Sequence, residues 1–504
     1  MIHLRRTALL VVTALCSARV GAQRPDWGAF DRWVTQGVAD WQVPGLAVAV
    51  VKDDSVVFSR GYGVRKLGDP AGRVDVHTRF AIGSTTKAMT ALALLMLQDE
   101  GKVRLDDPVQ RYLPTLQLFD PVMTRELTVR DLLTHHTGLP GSDLLWSGGD
   151  YSTAEVIRRM RHLRPATSFR NSYHYQNVQY AMAGEVVRVA SGMPWDQFVA
   201  ERIHRPLGMG ETVSLLSQLA GAPNVAAPHM ILDGAVTTVD NRSVDPVAAA
   251  GSVWSSVTDM ARWMRFVLDS GRVGGRRLVS PSGFADWLSA QVVVPQADFY
   301  PTRTLTRPHH VNYGLGWFLH DYRGMSVAMH TGSIDGQVAI IGLVPDQRLG
   351  VYVLANLDHA ELRHAILHRV LDLYAGGATR DWSAELRQLY GAMEAQGKAA
   401  EARQMAAQVK GTRPSLDLGR YAGTYSDSLY GDATVELREG RLRFTFGKGF
   451  TGWLSHFHYD TFLVPWDDRR AGRDMVSFTL DAAGQPAAVE VLGSRFLRRT
   501  APTR

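Results

Sequence analysis

The stretch Phe80–Gln98, FAIGSTTKAMTALALLMLQ, constrains the fold more than any other segment of the chain. Ala88 to Leu97 is apolar on nearly every face, and a helix of that kind has to be surrounded by protein. A chain of 504 residues, 45% hydrophobic and 21% charged, has the length for two or three domains and the composition for a large core. Gly83 and Ser84 precede the predicted helix, and Gly101 is its predicted stop. Lys87 is the anomaly: an amine in the first turn of a buried helix, three residues after a serine.

Of the 55 basic residues only seven are lysine, which makes each lysine informative, because a Lys can lose its proton and an Arg cannot. Residues three apart on a helix share a face, with Cβ atoms about 5–6 Å apart. A lysine in apolar surroundings loses pKa, because desolvation disfavours the charged form. It can then take the proton of Ser84 and leave a nucleophile, favoured further by the helix N-terminus. The alternative is a surface lysine whose stem lies along apolar neighbours. Ser-x-x-Lys alone does not decide between the two.

Around this element the pattern is a sheet flanked by helices. Pro44–Val64 reads as two strands joined at Asp53-Asp54, a hairpin signal. Leu127–Gly141 reads as a short helix capped by Thr128, and Ser256–Gly271 as a capped amphipathic helix. Met325–Asn356 reads as three strands turning at Ile334-Asp335-Gly336 and Pro345-Asp346. Trp382–Gly411 is Ala-, Glu- and Arg-rich and helical. From Leu416 onward short alternating strands with frequent turn signals suggest a small β-barrel or sandwich.

Two further segments carry chemistry-bearing residues in order: Tyr175-Gln176-Asn177 within YHYQNVQYAMAGEVVRVASG, and His330-Thr331-Gly332 within HTGSIDG. With TRFAIGSTTKAMTALALLMLQDEGKVRLDDPVQRYLP and LTVRDLLTHHTGLPG, they make residues 27 to 370 resemble the serine β-lactamase and penicillin-binding-protein superfamily. The resemblance is greatest to the class C branch, which includes class C β-lactamases, D-specific aminopeptidases and carboxypeptidases, and family VIII esterases. It implies an α/β (α+β) fold with an antiparallel sheet flanked by helices. It also implies roles: Ser84 as nucleophile, Lys87 and Tyr175 moving protons, Asn177 holding Lys87 and a substrate carbonyl, and the backbone N–H groups of Ser84 and Ser333 forming the oxyanion hole beside His330, Thr331 and Gly332. Tyr175 is chosen over Tyr173 by motif register.

Two positions depart from the pattern. Gln176 replaces a Ser, and its side chain is free to point away. His330 replaces the Lys of a Lys-Thr-Gly motif. That Lys is a permanent charge, whereas a His near pKa 6.5 is mostly neutral above pH 7. The change argues against an efficient β-lactamase and for a peptidase or an esterase, without choosing between them. His135 and His136 are read as turn residues. There is no His-Glu-x-x-His and no Gly-x-Ser-x-Gly elbow, so no metal, no organic cofactor and no α/β-hydrolase are expected.

The domain plan is a signal peptide over 1–22, a hydrolase domain over 23–378, a helical connector over 379–412 and a lipocalin-like β-barrel over 413–504. MIHLRR followed by TALLVVTALC and SARVGAQ is an export signal with a cleavage site after Ala22, too short in its apolar run to span a bilayer. The single cysteine, Cys16, falls inside it, and Leu15 is a poor residue for a lipid-anchor site. Thiol catalysis is therefore excluded from the mature chain. The net charge of +6 without a block of like charges argues against a nucleic-acid partner. The expectation is an exported, periplasmic or secreted enzyme that works through an acyl-enzyme on small peptide amides, perhaps with D-residues, or esters. Its rivals are a β-lactamase and a non-catalytic sensor of peptidoglycan or β-lactams. The C-terminal domain is expected to lie against the cleft and limit substrate length, or to promote oligomers.

Overall fold

The computed structural model describes residues 25–376 and 380–499. The predicted leader and Cys16 lie outside them.

Eight antiparallel strands form the main sheet: β1 (Gly45–Lys52), β2 (Ser55–Gly63), β3 (Val292–Val293), β4 (Val311–Tyr313), β5 (Phe318–Tyr322), β6 (Met325–Ile334), β7 (Gln337–Val344) and β8 (Leu349–Ala355). Their order across the sheet is β2-β1-β8-β7-β6-β5-β4-β3. The predicted hairpin is β1–β2, and Asp53 and Asp54 both take the positive φ its tight turn needs. The three strands expected between Met325 and Asn356 are β6, β7 and β8.

The period of two along β1 assigns each side chain to a layer. Leu46, Val48 and Val50 face a core shared with helices α1 (Trp27–Asp40) and, late in the chain, Leu362–Ala375. Ala47, Ala49 and Val51 face a second core, built around α2 (Lys87–Asp99), α3 (Asn177–Ser191) and α4 (Val257–Leu268). Helices thus cover both faces of the sheet, which is why its central strands are apolar throughout. In α2 every residue from Lys87 to Leu97 is buried, as the all-round apolar pattern requires.

The segment at Leu127–Gly141 holds one helical turn, Asp131–Thr134, and Thr128 caps the turn that leads into it, its Oγ1 accepting from the Asp131 backbone N–H at 3.3 Å. The Thr128 backbone N–H and hydroxyl in turn donate to the Asp131 carboxylate, at 2.8 and 2.7 Å, which completes a capping box. His135 ends the turn in the left-handed region, at φ 59°.

The long helix Trp382–Ala406 leads to a closed barrel of eight strands between Gly423 and Arg498. Its interior is filled by Tyr421, Tyr425, Phe444, Phe446, Phe462 and Phe496, among others, so it is a packed core. The barrel touches the main domain at two places. Tyr151 Oη donates to Tyr430 O at 2.9 Å and Arg159 Nη1 to Leu429 O at 3.0 Å, with Leu429 buried in the main-domain core. On another side Arg470 Nη1 donates to Asp240 O at 3.1 Å, while Arg242 pairs with Asp335 at 3.0 Å and reaches Asp468 at 3.6 Å.

Candidate active site

Ser84 lies on a 3-10 turn, Gly83–Thr86, and Lys87 begins α2 directly after it. Gly83 adopts φ +51°, and a Cβ there would fall 2.5 Å from Ser333 N. A Cβ on Gly332 would overlap Ile82 O and come within 3.0 Å of Ser84 N. The two glycines let strand β6 lie directly on the serine turn. This brings the Ser84 and Ser333 backbones side by side.

Lys87 has no exposed surface. Its Nζ lies 2.9 Å from Ser84 Oγ, 2.8 Å from Asn177 Oδ1 and 2.9 Å from Ala250 O. The last two groups only accept. A neutral amine has two N–H bonds to give them and one lone pair left for the Ser84 proton. Burial holds the Lys87 pKa well below the usual amine range, against the opposing charge of Asp143. Asn177 opens α3, and its Nδ2 donates to Asp143 Oδ1 at 3.0 Å, which turns Oδ1 toward Lys87.

Tyr175 is packed against Lys87, with Nζ 4.8 Å from its ring centroid. Burial raises its hydroxyl pKa well above the phenol value, and the adjacent Ser84 hydroxyl opposes this. Tyr173 packs on Tyr313 and Phe318. Gln176 turns away: its Oε1 accepts from Val178 N to cap α3, and its Nε2 donates to Ser142 Oγ at 3.1 Å. His330 is buried. Its Nδ1–H donates to Thr331 O at 2.6 Å, so Nε2 is unprotonated and accepts from Tyr313 Oη at 3.0 Å. Burial lowers its pKa to about 3, and Lys87 lowers it further whenever that amine is protonated. Thr331 Oγ1 is 2.7 Å from Tyr300 Oη.

A cavity of about 600 Å³ opens over Ser84, Tyr175, Asn177, His330, Thr331 and Ser333. The structure therefore brings the three motif segments, spread from Ser84 to Ser333 along the chain, to one hollow. Among the described residues no group of three or more His, Cys, Asp or Glu side chains is placed to hold a metal ion.

Residues 30–375 match the Beta-lactamase family. The chain belongs to that family. Residues 407–499 match DUF3471, a domain of unknown function. The unguisins hydrolase of Aspergillus campestris is 28% identical over 432 residues, covering 82% of this chain and 78% of the relative. Penicillin-binding protein 4 of Amycolatopsis lactamdurans is 29% identical over 328 residues, covering 62% and 81%. Among solved structures, the octameric penicillin-binding protein homologue from Pyrococcus abyssi shares the fold with a TM-score of 0.63, at 22% identity over 94% of this chain and 100% of that one. A D-stereospecific amidohydrolase from Streptomyces gives a TM-score of 0.53 at 25% identity, covering 66% and 95%. The chain is thus a beta-lactamase-family serine hydrolase.

Around the motif residues of this beta-lactamase-family site the structure adds several that the sequence did not point to. Asp143, Trp146, Asp298, Tyr300 and Phe318 line the cavity from loops, short helical turns and strand β5. Ala250 contributes a carbonyl, which no side-chain pattern signals. His135, read as a turn residue, is buried against Tyr173, Tyr175, Tyr180 and Tyr313. Arg363 is also buried. Its Nη1 donates to Gly332 O at 2.8 Å, Ser333 Oγ at 3.2 Å and Ala339 O at 3.3 Å, and its charge is met by Glu361. It fixes strand β6 from behind.

Several histidines are held neutral by burial: His330 at about 3, His204 and His364 at about 4. In the unfolded chain each takes a proton near 6.5. Their contribution to stability is complete above about pH 6.5 and is lost as pH falls toward 4. Each such group adds to the loss as pH falls between those limits. Thermal unfolding is expected to show a marked fall in Tm from pH 7 to pH 5. Equal Tm values at the two pH values would contradict it.

Proposed function

We propose that this hydrolase is exported and acts on small peptide amides, including those with D-residues, or on esters, through an acyl-enzyme at Ser84. Lys87 takes the Ser84 proton as Oγ attacks the carbonyl carbon. Tyr175 passes a proton to the leaving amine or alcohol. Water then adds to the ester, Ser84 leaves with its proton restored, and the acid product departs. The Ser84 and Ser333 N–H groups receive the negative oxygen at each addition.

The observation that carries this reading is the set of three partners on Lys87 Nζ. Two pure acceptors consume two N–H bonds and leave the lone pair for Ser84. A neutral, buried His330 supports amide or ester substrates over β-lactams, whose carboxylate favours a fixed positive charge. Similarity to an unguisins hydrolase and a D-stereospecific amidohydrolase supports amide cleavage. Export rests on the leader pattern of residues 1–22.

The test is a hydrolysis panel on the mature protein beside Ser84→Ala. It holds D- and L-aminoacyl anilides, a D-Ala-D-Ala peptide, a short-chain aryl ester and a chromogenic cephalosporin. An anilide, peptide or ester is expected to be fastest, with turnover lost by about 10⁴-fold or more in Ser84→Ala. Persistence of turnover in that variant would remove Ser84 from the mechanism. A cephalosporin as best substrate would overturn the amide or ester reading.

A further inference from the structure

We propose that His135 is a positioning residue for Tyr175: its carbonyl and its ring hold the chain on both sides of that tyrosine and so aim the hydroxyl that protonates the leaving group. This deepens the function proposed above and rests on its proton relay.

His135 has no exposed surface. Its backbone oxygen accepts from His174 N at 2.8 Å, and its ring Nδ1 accepts from Gln176 N at 3.1 Å. One residue thus takes the N–H before Tyr175 and the N–H after it. A backbone N–H only donates, so Nδ1 carries no proton and the neutral ring carries its own on Nε2. The ring also lies against the phenol, with centroids 4.3 Å and planes 37° apart. Tyr175 reaches Ser84 with its hydroxyl. A shift of the Tyr175 backbone is therefore passed to the reacting centre, where misplacement of a group slows the reaction steeply.

The arrangement is costly in two ways. His135 holds φ at 59°, in the left-handed region that a residue with a Cβ disfavours. Its Nε2 is buried among the rings of Tyr175, Tyr180 and Tyr313, with no hydrogen-bond partner among the described residues. A buried donor left unpaired destabilises the fold. Burial pushes the imidazole pKa well below its usual range, and any charge on Lys87 or His330 lowers it further, so the ring stays in the form that accepts. Packing alone requires none of this. An apolar side chain would fill the space without an unpaired donor, and glycine would make the turn with less strain. What the imidazole adds is an acceptor on a rigid ring, placed at the Gln176 N–H.

The experiment separates leaving groups that need a proton from one that does not. The substrates are 4-nitrophenyl butyrate, ethyl butyrate and butyryl 4-nitroanilide. Nitrophenolate departs unprotonated, whereas the alcohol and the aniline depart only with a proton. All three share one acyl group, and kcat/KM reports the reaction up to departure of the leaving group. The full mature chain is used as wild type, Ser84→Ala, Tyr175→Phe, His135→Asn, His135→Gln, His135→Leu and the Tyr175→Phe/His135→Gln double variant. His135→Asn puts an amide oxygen where Nδ1 stands and suits the left-handed φ. His135→Gln carries its amide out to where Nε2 stands, and His135→Leu has none. The two loss variants keep the test alive if one of them fails to fold.

The readout is kcat/KM for the nitrophenyl ester divided by that for each of the other two substrates. Tyr175→Phe is expected to raise this ratio about 100-fold, the scale of a lost general acid. His135→Gln and His135→Leu are expected to raise it about tenfold or more. His135→Asn is expected to stay close to wild type, and the double variant to match Tyr175→Phe. If His135 only packs the core, all three substrates slow together and the ratio stays, which overturns the proposal. A double variant with a ratio well above that of Tyr175→Phe overturns it too, because His135 would then act apart from the tyrosine. So does a ratio in His135→Asn as high as in His135→Gln. In each of these cases Ser84-dependent turnover and a Tyr175→Phe effect leave the hydrolase reading standing. An unchanged ratio in Tyr175→Phe, wild-type turnover of the nitrophenyl ester alone or of nothing, or turnover surviving in Ser84→Ala removes the proton relay or the nucleophile, and this proposal with it.

Discussion

Lys87→Met is expected to lower kcat by about 10²–10⁴-fold while the protein still folds. Met matches the apolar stem of Lys87 and suits a position with no exposed surface. What it lacks is the nitrogen lone pair placed 2.9 Å from Ser84 Oγ. Lys87→Arg separates a proton acceptor from a mere positive charge. Arg stays protonated under all working conditions, so a site needing only charge would keep its activity and a site needing a base would lose it. Both variants are expected to lose kcat, with KM changing less. Their thermal unfolding would be recorded beside the kinetics, since Arg also brings a fixed charge into a buried position. Lys87→Met retaining more than about a tenth of wild-type kcat would contradict the assignment.

Gly332→Ala carries the next largest expected effect. The added methyl group meets Ile82 O, with Ile82 C at 2.8 Å and Ser84 N at 3.0 Å. All three are backbone atoms, which cannot rotate out of the way. Strand β6 has to move off the serine turn, and the Ser333 N–H moves with it. Loss of one oxyanion donor costs about 10²–10³-fold in kcat, and overpacking costs about 1–3 kcal/mol of stability. Gly324→Ala serves as a comparison. Gly324 lies at a turn with φ +76° and nothing within 4 Å of a Cβ, so it is expected to lower Tm slightly and spare kcat. Equal kcat values in the two variants would mean that the contact between β6 and the serine turn does not set the oxyanion geometry.

The sequence was legible where a few adjacent residues carry the physics. Ser84 and Lys87 are three apart, the β1–β2 hairpin announces itself at Asp53-Asp54, and α2 is apolar all round. His330 declared its neutrality by being neither Lys nor Arg. Strands β3, β4 and β5 were not read, because two of them span only two and three residues and leave no alternation to detect. Asp143, Asp298 and Tyr300 come from irregular segments, where no period says which way a side chain faces. Ala250 and Arg363 act on the site through tertiary contacts alone: one lends a carbonyl to Lys87, the other grips the carbonyl of Gly332 from a distant helix. The cap at Thr128 was legible as well, because Thr128 and Asp131 stand three apart and exchange side-chain-to-backbone bonds, although the helix after it is a single turn.

The two barrel contacts touch the segments that frame the cleft. One holds Tyr151 and Arg159, shortly after Asp143 and Trp146; the other reaches Asp335, two residues past Ser333. The rim of the cleft is thus braced by a module that holds none of the three motifs. The residues that line the cleft itself all belong to the main domain. Support of the cleft and the chemistry within it are in this way carried by separate lengths of the chain.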